Sequence, residues 1–189
     1  MPVPFGIFVP QGWRLDLVGI PDPIEQYETM TRVGQVAEAA GFDSIWLYDH
    51  FHTVPTIEHE TTFECWMSTA GLARDTSRIK IGQMVTCNGY RQPSLLAKMA
   101  STVDVMSHGR LIFGLGAGWY EHEWRAYGYG FPELGDRMGG GREGGGRRPR
   151  DRGGWRRREW RAGRFACRST PLWRNRSGET ARGSIGIDR

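Results

Sequence analysis

Asp49 and His50 stand side by side in the stretch SIWLYDHFHTVP, Ser44 to Pro55, directly behind five residues of largely apolar, strand-like character. An imidazole titrates near neutrality, and a carboxylate beside it makes a compact acid–base pair able to give or take one proton. His52 adds a second chemistry, because His50 and His52 form an HxH pair at a strand end, the spacing of some barrel metallohydrolases. The other histidines are His59, His108 and His122, with His108 at a helix end away from this stretch, so no metal is expected. The plain alternative is that Asp49 caps a local turn while His50 is a half-buried imidazole with ordinary partners.

Two further groups fall at comparable places. Thr86, Cys87 and Asn88 follow the apolar run Ile79 to Val85, and Gly116, Ala117 and Gly118 follow the run Leu111 to Leu115. The glycines imitate a dinucleotide fingerprint, but G-x-G-x-x-G needs a glycine at 119 or 121, where this chain has Trp119 and Glu121. Lys98 reads as a solvated lysine in a helix, and Trp46 and Tyr48 as core and rim.

The elements that must position these residues alternate. Strand-like runs at Phe5 to Val9, Ser44 to Tyr48, Ile79 to Val85 and Leu111 to Leu115 are each followed by helical periodicity. Asp22-Pro23-Ile24-Glu25 opens the first helix with a cap, a first-turn proline and a Glu placed for a capping box, and Gly41 closes it. Its predicted buried face is Ile24, Tyr27, Met30, Val33, Ala37 and Ala40. Thr61 and Glu64 predict a box at the second helix, with Phe63, Trp66, Met67 and Ala70 on its buried face. The third helix opens at Pro93, buries Leu95, Leu96, Met99, Val103 and Met106, and ends before Gly109; a fourth starts near Glu121. Four such βα units force parallel pairing and leave two architectures open, the doubly wound sheet and the (β/α)8 barrel. In both, function gathers at the carboxyl ends of the strands, where the three groups above fall.

Charge divides the chain. Residues 1–138 hold 10 Lys+Arg against 16 Asp+Glu, whereas residues 139–189 hold 15 Arg, no Lys and 5 acids, so the net charge of +4 describes neither part. A basic average of this kind is no signal for nucleic acid over the first 138 residues. Three cysteines without paired spacing fit a reducing compartment, and no run of about 18 apolar residues marks a membrane span. A cytoplasmic location with no membrane partner is expected.

The stretches GFDSIWLYDHF, IKIGQMVTCNGYRQPSLLAKMASTVDVMSHGRLIFGLGAGW and EHEWRAYGYGFPELGDRM resemble the bacterial-luciferase-like oxidoreductases, in particular the branch that uses the deazaflavin coenzyme F420. The resemblance covers about residues 3–138 and implies the N-terminal half of a (β/α)8 barrel whose mouth holds a deazaflavin, or in other relatives FMN. It implies that Asp49 contacts the cofactor and that His50 lies beside the reacting ring as acid or base. It further implies a cis peptide between Met84 and Val85 backing the ring, with Thr86 and the Gly116, Ala117 and Gly118 turn close to the cofactor. Trp119 departs from relatives that carry a catalytic Glu there, so no substrate more specific than a small organic molecule is implied.

After Met138 the text becomes GGGREGGGRRPRDRGGWRRREW and no period survives. Three readings are open: an Arg/Gly arm binding RNA or another polyanion, a solvated low-complexity extension, and a high-GC coding sequence read out of frame. Arginine without lysine inside a segment where the family pattern should continue favours the last. The expected organisation is a partial barrel domain over 1–138 and a disordered tail over 139–189. Four units leave two strand edges unpaired, which invites a homo-oligomer, and leave ring contacts alone to supply affinity, so weak or no cofactor binding and an inactive fragment are expected.

Overall fold

The structure, a computed structural model, describes residues 3–58 and 60–138. The expectations for residues 139–189 therefore fall outside the described residues. Four strands, β1 (Gly6–Phe8), β2 (Ser44–Leu47), β3 (Lys80–Gln83) and β5 (Leu111–Ile112), form one parallel sheet in the order β1-β2-β3-β5. In register, Gly6 lies opposite Ser44, Ser44 opposite Lys80 and Ile81 opposite Leu111. A second parallel ladder pairs β4 (Thr86–Cys87) with β6 (Leu115–Gly116). Spatial order thus follows chain order with no reversal among the described strands. A doubly wound sheet needs such a reversal, and a barrel does not.

The runs read as single strands at 79–85 and 111–115 are each interrupted. β3 ends at Gln83, the Met84-Val85 peptide is cis, and pairing resumes at Thr86. Across the interruption, the Thr86 N–H donates to Gly114 O at 2.9 Å and the Asn88 N–H to Gly116 O at 2.8 Å.

Helices α1 (Pro23–Ala39), α2 (Cys65–Asp75) and α3 (Pro93–Met106) follow the first three strand runs, and the short α4 (Glu121–Ala126) and α5 (Leu134–Met138) come after β6. The main core packs Val9, Ile45, Leu47 and Ile81 of the strand region against Met30 and Ala37 of α1 and Leu72 of α2. A second cluster joins Trp66 and Ala73 of α2 to Leu96 and Val103 of α3. Each fully buried Leu or Ile of this kind contributes roughly 1.5–3 kcal/mol. Met84 and Val85, by contrast, are 48% and 45% exposed among the described residues.

Several helix details depart from the sequence pattern. Asp22 caps α1 by accepting from the Ile24 N–H, and Gly41 takes the left-handed conformation (φ +85°), both as predicted. Glu25 turns outward to Arg32 instead of closing the box, and Ile24 is exposed. At α2 the predicted box with Thr61 does not form: Glu64 is itself the cap and accepts from the Met67 N–H at 2.6 Å. That start rotates the helix so that Cys65, Ser68, Thr69 and Leu72 turn inward while Met67 is exposed. Leu95 of α3 also faces out, one position from the buried Leu96.

Candidate active site at the strand tips

The loop after β1, the tip of β2, the tip of β4 and the turn after β6 meet at one end of the sheet. Gln11 ties the first two together: its Nε2 donates to Tyr48 O at 2.8 Å and to Phe63 O at 2.7 Å, and its Oε1 accepts from the Tyr48 N–H at 2.8 Å. A buried amide with three such bonds fixes where β2 ends. Trp13, on the same loop, then stacks on the His50 ring at 4.4 Å between centroids and 2° between planes.

Asp49 is held inside the protein by β4 and Arg91. Its carboxylate has no exposed surface. Oδ2 accepts from Arg91 Nη1 at 2.6 Å and from the Cys87 N–H at 2.8 Å, and Oδ1 accepts from Arg91 Nη2 at 2.9 Å. Arg91 also pairs with Glu64, the cap of α2. Burial pushes the Asp49 carboxyl up from the ordinary aspartate value against the pull of Arg91 and the Cys87 amide. Both Asp49 oxygens accept hydrogen bonds inside the protein, where they join β2, β4 and α2.

His50 has different partners, with its side chain 12% exposed. Its Nδ1 lies 2.8 Å from Glu123 Oε2, and its ring meets Trp119 and Tyr120 edge-on at 5.7 and 6.1 Å. Glu123, 0% exposed on α4, accepts three more bonds: from the Phe51 N–H (2.8 Å) and the His52 N–H (2.9 Å) at Oε1, and from the Tyr90 hydroxyl (2.8 Å) at Oε2. Burial would raise this carboxyl, but the His50 bond and charge, the His52 amide and the Tyr90 hydroxyl outweigh it and hold it below the usual glutamate value. The HxH pair diverges, since the His52 ring sits beside His122 at 4.9 Å while His50 turns to Glu123.

The remaining candidates fall around this pair. Thr86 is fully buried and its hydroxyl has no partner among the described residues. Burial pushes the Cys87 thiol up to about 12, so it is no nucleophile near neutrality. The Asn88 Nδ2 donates to Arg137 O at 2.9 Å. A Cβ on Gly116 would lie 2.5 Å from Val85 Cγ2, and one on Gly118 (φ +74°) would lie 2.5 Å from Cys87 Sγ and 2.7 Å from Trp124 Nε1. The room beside both glycines is thus already taken by protein atoms, which seat the bulge and the turn. Lys98 is exposed on α3, His108 lies before β5 at the far end of the sheet, and Tyr48 stacks on Phe8 at 4.2 Å.

Sequence reasoning missed Trp13, Tyr90, Arg91 and Glu123. Glu123 is 73 residues from His50, and a Glu in the first turn of a helix has its own local explanation in the helix dipole. Arg91, just before the Pro93 helix start, carried no signal beyond its charge.

Comparison with known proteins follows the same outline. The luciferase-like monooxygenase family model matches residues 3–140. An F420-dependent hydroxymycolic acid dehydrogenase of Mycobacterium tuberculosis is 35% identical over 104 residues, covering 53% of this chain and 29% of that protein. An F420-dependent glucose-6-phosphate dehydrogenase of Amycolatopsis mediterranei is 34% identical over 105 residues, covering 54% of this chain and 31% of that protein. The chain thus spans about a third of the length of these curated relatives. Among solved structures, the oxygenating constituent of 3,6-diketocamphane monooxygenase from the CAM plasmid of Pseudomonas putida, in complex with FMN, superposes with a TM-score of 0.58 at 20% identity, over 72% of this chain and 36% of that one. That likeness bears on the fold of the parallel βα units alone, and because the family model matches residues 3–140, well over half of the chain, the chain belongs to the luciferase-like monooxygenase family.

Proposed function

We propose that the chain is the ring-facing part of an F420-dependent oxidoreductase that moves a hydride between the deazaflavin and a small organic substrate. The observation that carries this reading is the His50–Glu123 pair at the strand tips, in a chain whose apolar Met84 and Val85 side chains are open. A planar, largely apolar ring fits such a floor, and an imidazole with one committed nitrogen fits its reactive edge. When bound, the deazaflavin supplies the carbon that gives or accepts the hydride.

The residues of this chain do the rest. His50 exchanges the proton that accompanies hydride movement, and Trp13 and Glu123 hold its ring in place. Asp49 and Arg91 fix the Cys87 amide and with it the segment that follows the bulge. Two curated relatives named as F420-dependent support the deazaflavin. The neighbour solved with FMN supports a second reading, a flavin monooxygenase in which the same floor takes FMN.

Separate titrations of F420 and FMN into the chain, followed by cofactor fluorescence, distinguish the two. The expected result is saturable but weak F420 binding, tighter than FMN, because the residues described supply ring contacts and few phosphate contacts. Tighter FMN binding favours the monooxygenase, and no saturable response to either cofactor contradicts the proposal.

A further inference from the structure

Every polar group that faces the Glu123 carboxylate can donate a hydrogen bond, and the two at Oε1 are backbone N–H groups that can do nothing else. Oε2 is shared by the Tyr90 hydroxyl and His50 Nδ1, both at 2.8 Å. His50 Nε2 makes no hydrogen bond among the described residues and is not among their sealed, unpartnered atoms. The ring cannot turn over to exchange its nitrogens, because Trp13 lies flat on one face at 4.4 Å and Trp119 abuts it edge-on.

We infer that Glu123 is the positioning residue that selects the tautomer of His50, holding Nδ1 as the N–H donor and leaving Nε2 as the nitrogen that exchanges the reaction's proton. An ionised carboxylate only accepts, so a nitrogen 2.8 Å from it must carry hydrogen. The depressed Glu123 titration agrees with that ionised state. With Nδ1–H fixed, the neutral ring keeps its lone pair at Nε2, and a proton taken there creates an imidazolium whose counter-charge is already in place. No residue of the Asp49 group substitutes for this, since Arg91 engages both Asp49 oxygens.

The inference rests on the proposed acid–base role of His50 but is read without any cofactor, so the two fail separately. The test is the long-range proton–nitrogen spectrum of the histidine rings in the 189-residue chain, with His50 assigned by its loss in His50→Gln and recorded where the ring is neutral. The expected pattern is a protonated Nδ1 and a bare Nε2. In Glu123→Gln the side-chain amide can donate as well as accept, and the spectrum shifts toward the Nε2–H form. Tyr90→Phe removes a donor to the same oxygen and leaves the Nδ1–H form in place. A wild-type ring in the Nε2–H form overturns the inference and needs no variant, so the test stands even if Glu123→Gln does not fold. A folded Glu123→Gln with an unchanged tautomer overturns it as well.

Discussion

Arg91 serves two carboxylates at once, with only 9% of its side chain exposed, and one of them, Asp49, is sealed from solvent. A buried charge is tolerable only with its partner, and removing one member strands the other. Arg91→Met should lower stability by about 3–5 kcal/mol, seen as a lower urea midpoint at an unchanged slope. Lys98→Met, on the exposed face of α3, should move it by less than about 0.5 kcal/mol. Equal effects would show that the Arg91 cluster is not a stabilising junction. At this scale Asp49 and His50 were legible because two titratable residues ended an apolar strand. Their partners were not, because Arg91 and Glu123 lie far off in sequence and each has an ordinary local account as a surface cation or a first-turn acid.

The connections between elements rest on similar anchors. Glu38, near the end of α1, accepts from the N–H groups of Ser77, Arg78 and Ile79 and from the Ser77 hydroxyl, which ties the helix to the entry of β3. Burial acts to raise its carboxyl, but these four donors prevail and bring it down to about 2 from 4.5. A folded value below the unfolded one means that this stabilisation is complete above pH 4.5 and is lost as the pH falls toward 2. Glu38→Gln should therefore be less stable than the parent by about 1–2 kcal/mol near neutrality, with the gap closing across that acid window. A gap of constant size across the window would remove the anchoring role. Strand–helix alternation, the Asp22 cap and the Gly41 stop were readable because each is a local rule. The α2 start was not: Thr61 and Glu64 have box spacing, yet Glu64 caps the helix itself and is held by Arg91, a contact no local rule contains.

For the molecule as a whole, the sequence left the barrel and the doubly wound sheet unresolved until family resemblance was added, since both are built from repeated βα units. Spatial strand order separates them: β1-β2-β3-β5 runs without reversal and brings the strand tips into one mouth. His50 stands at that mouth, whereas His108 precedes β5 at the opposite end. The proposed chemistry therefore requires a redox ring against His50. In a solution of the chain with excess F420, nuclear Overhauser contacts should link the deazaflavin ring protons to those of His50 and not to those of His108. Contacts to His108, or saturation with F420 that brings no ring contact to His50, would contradict it.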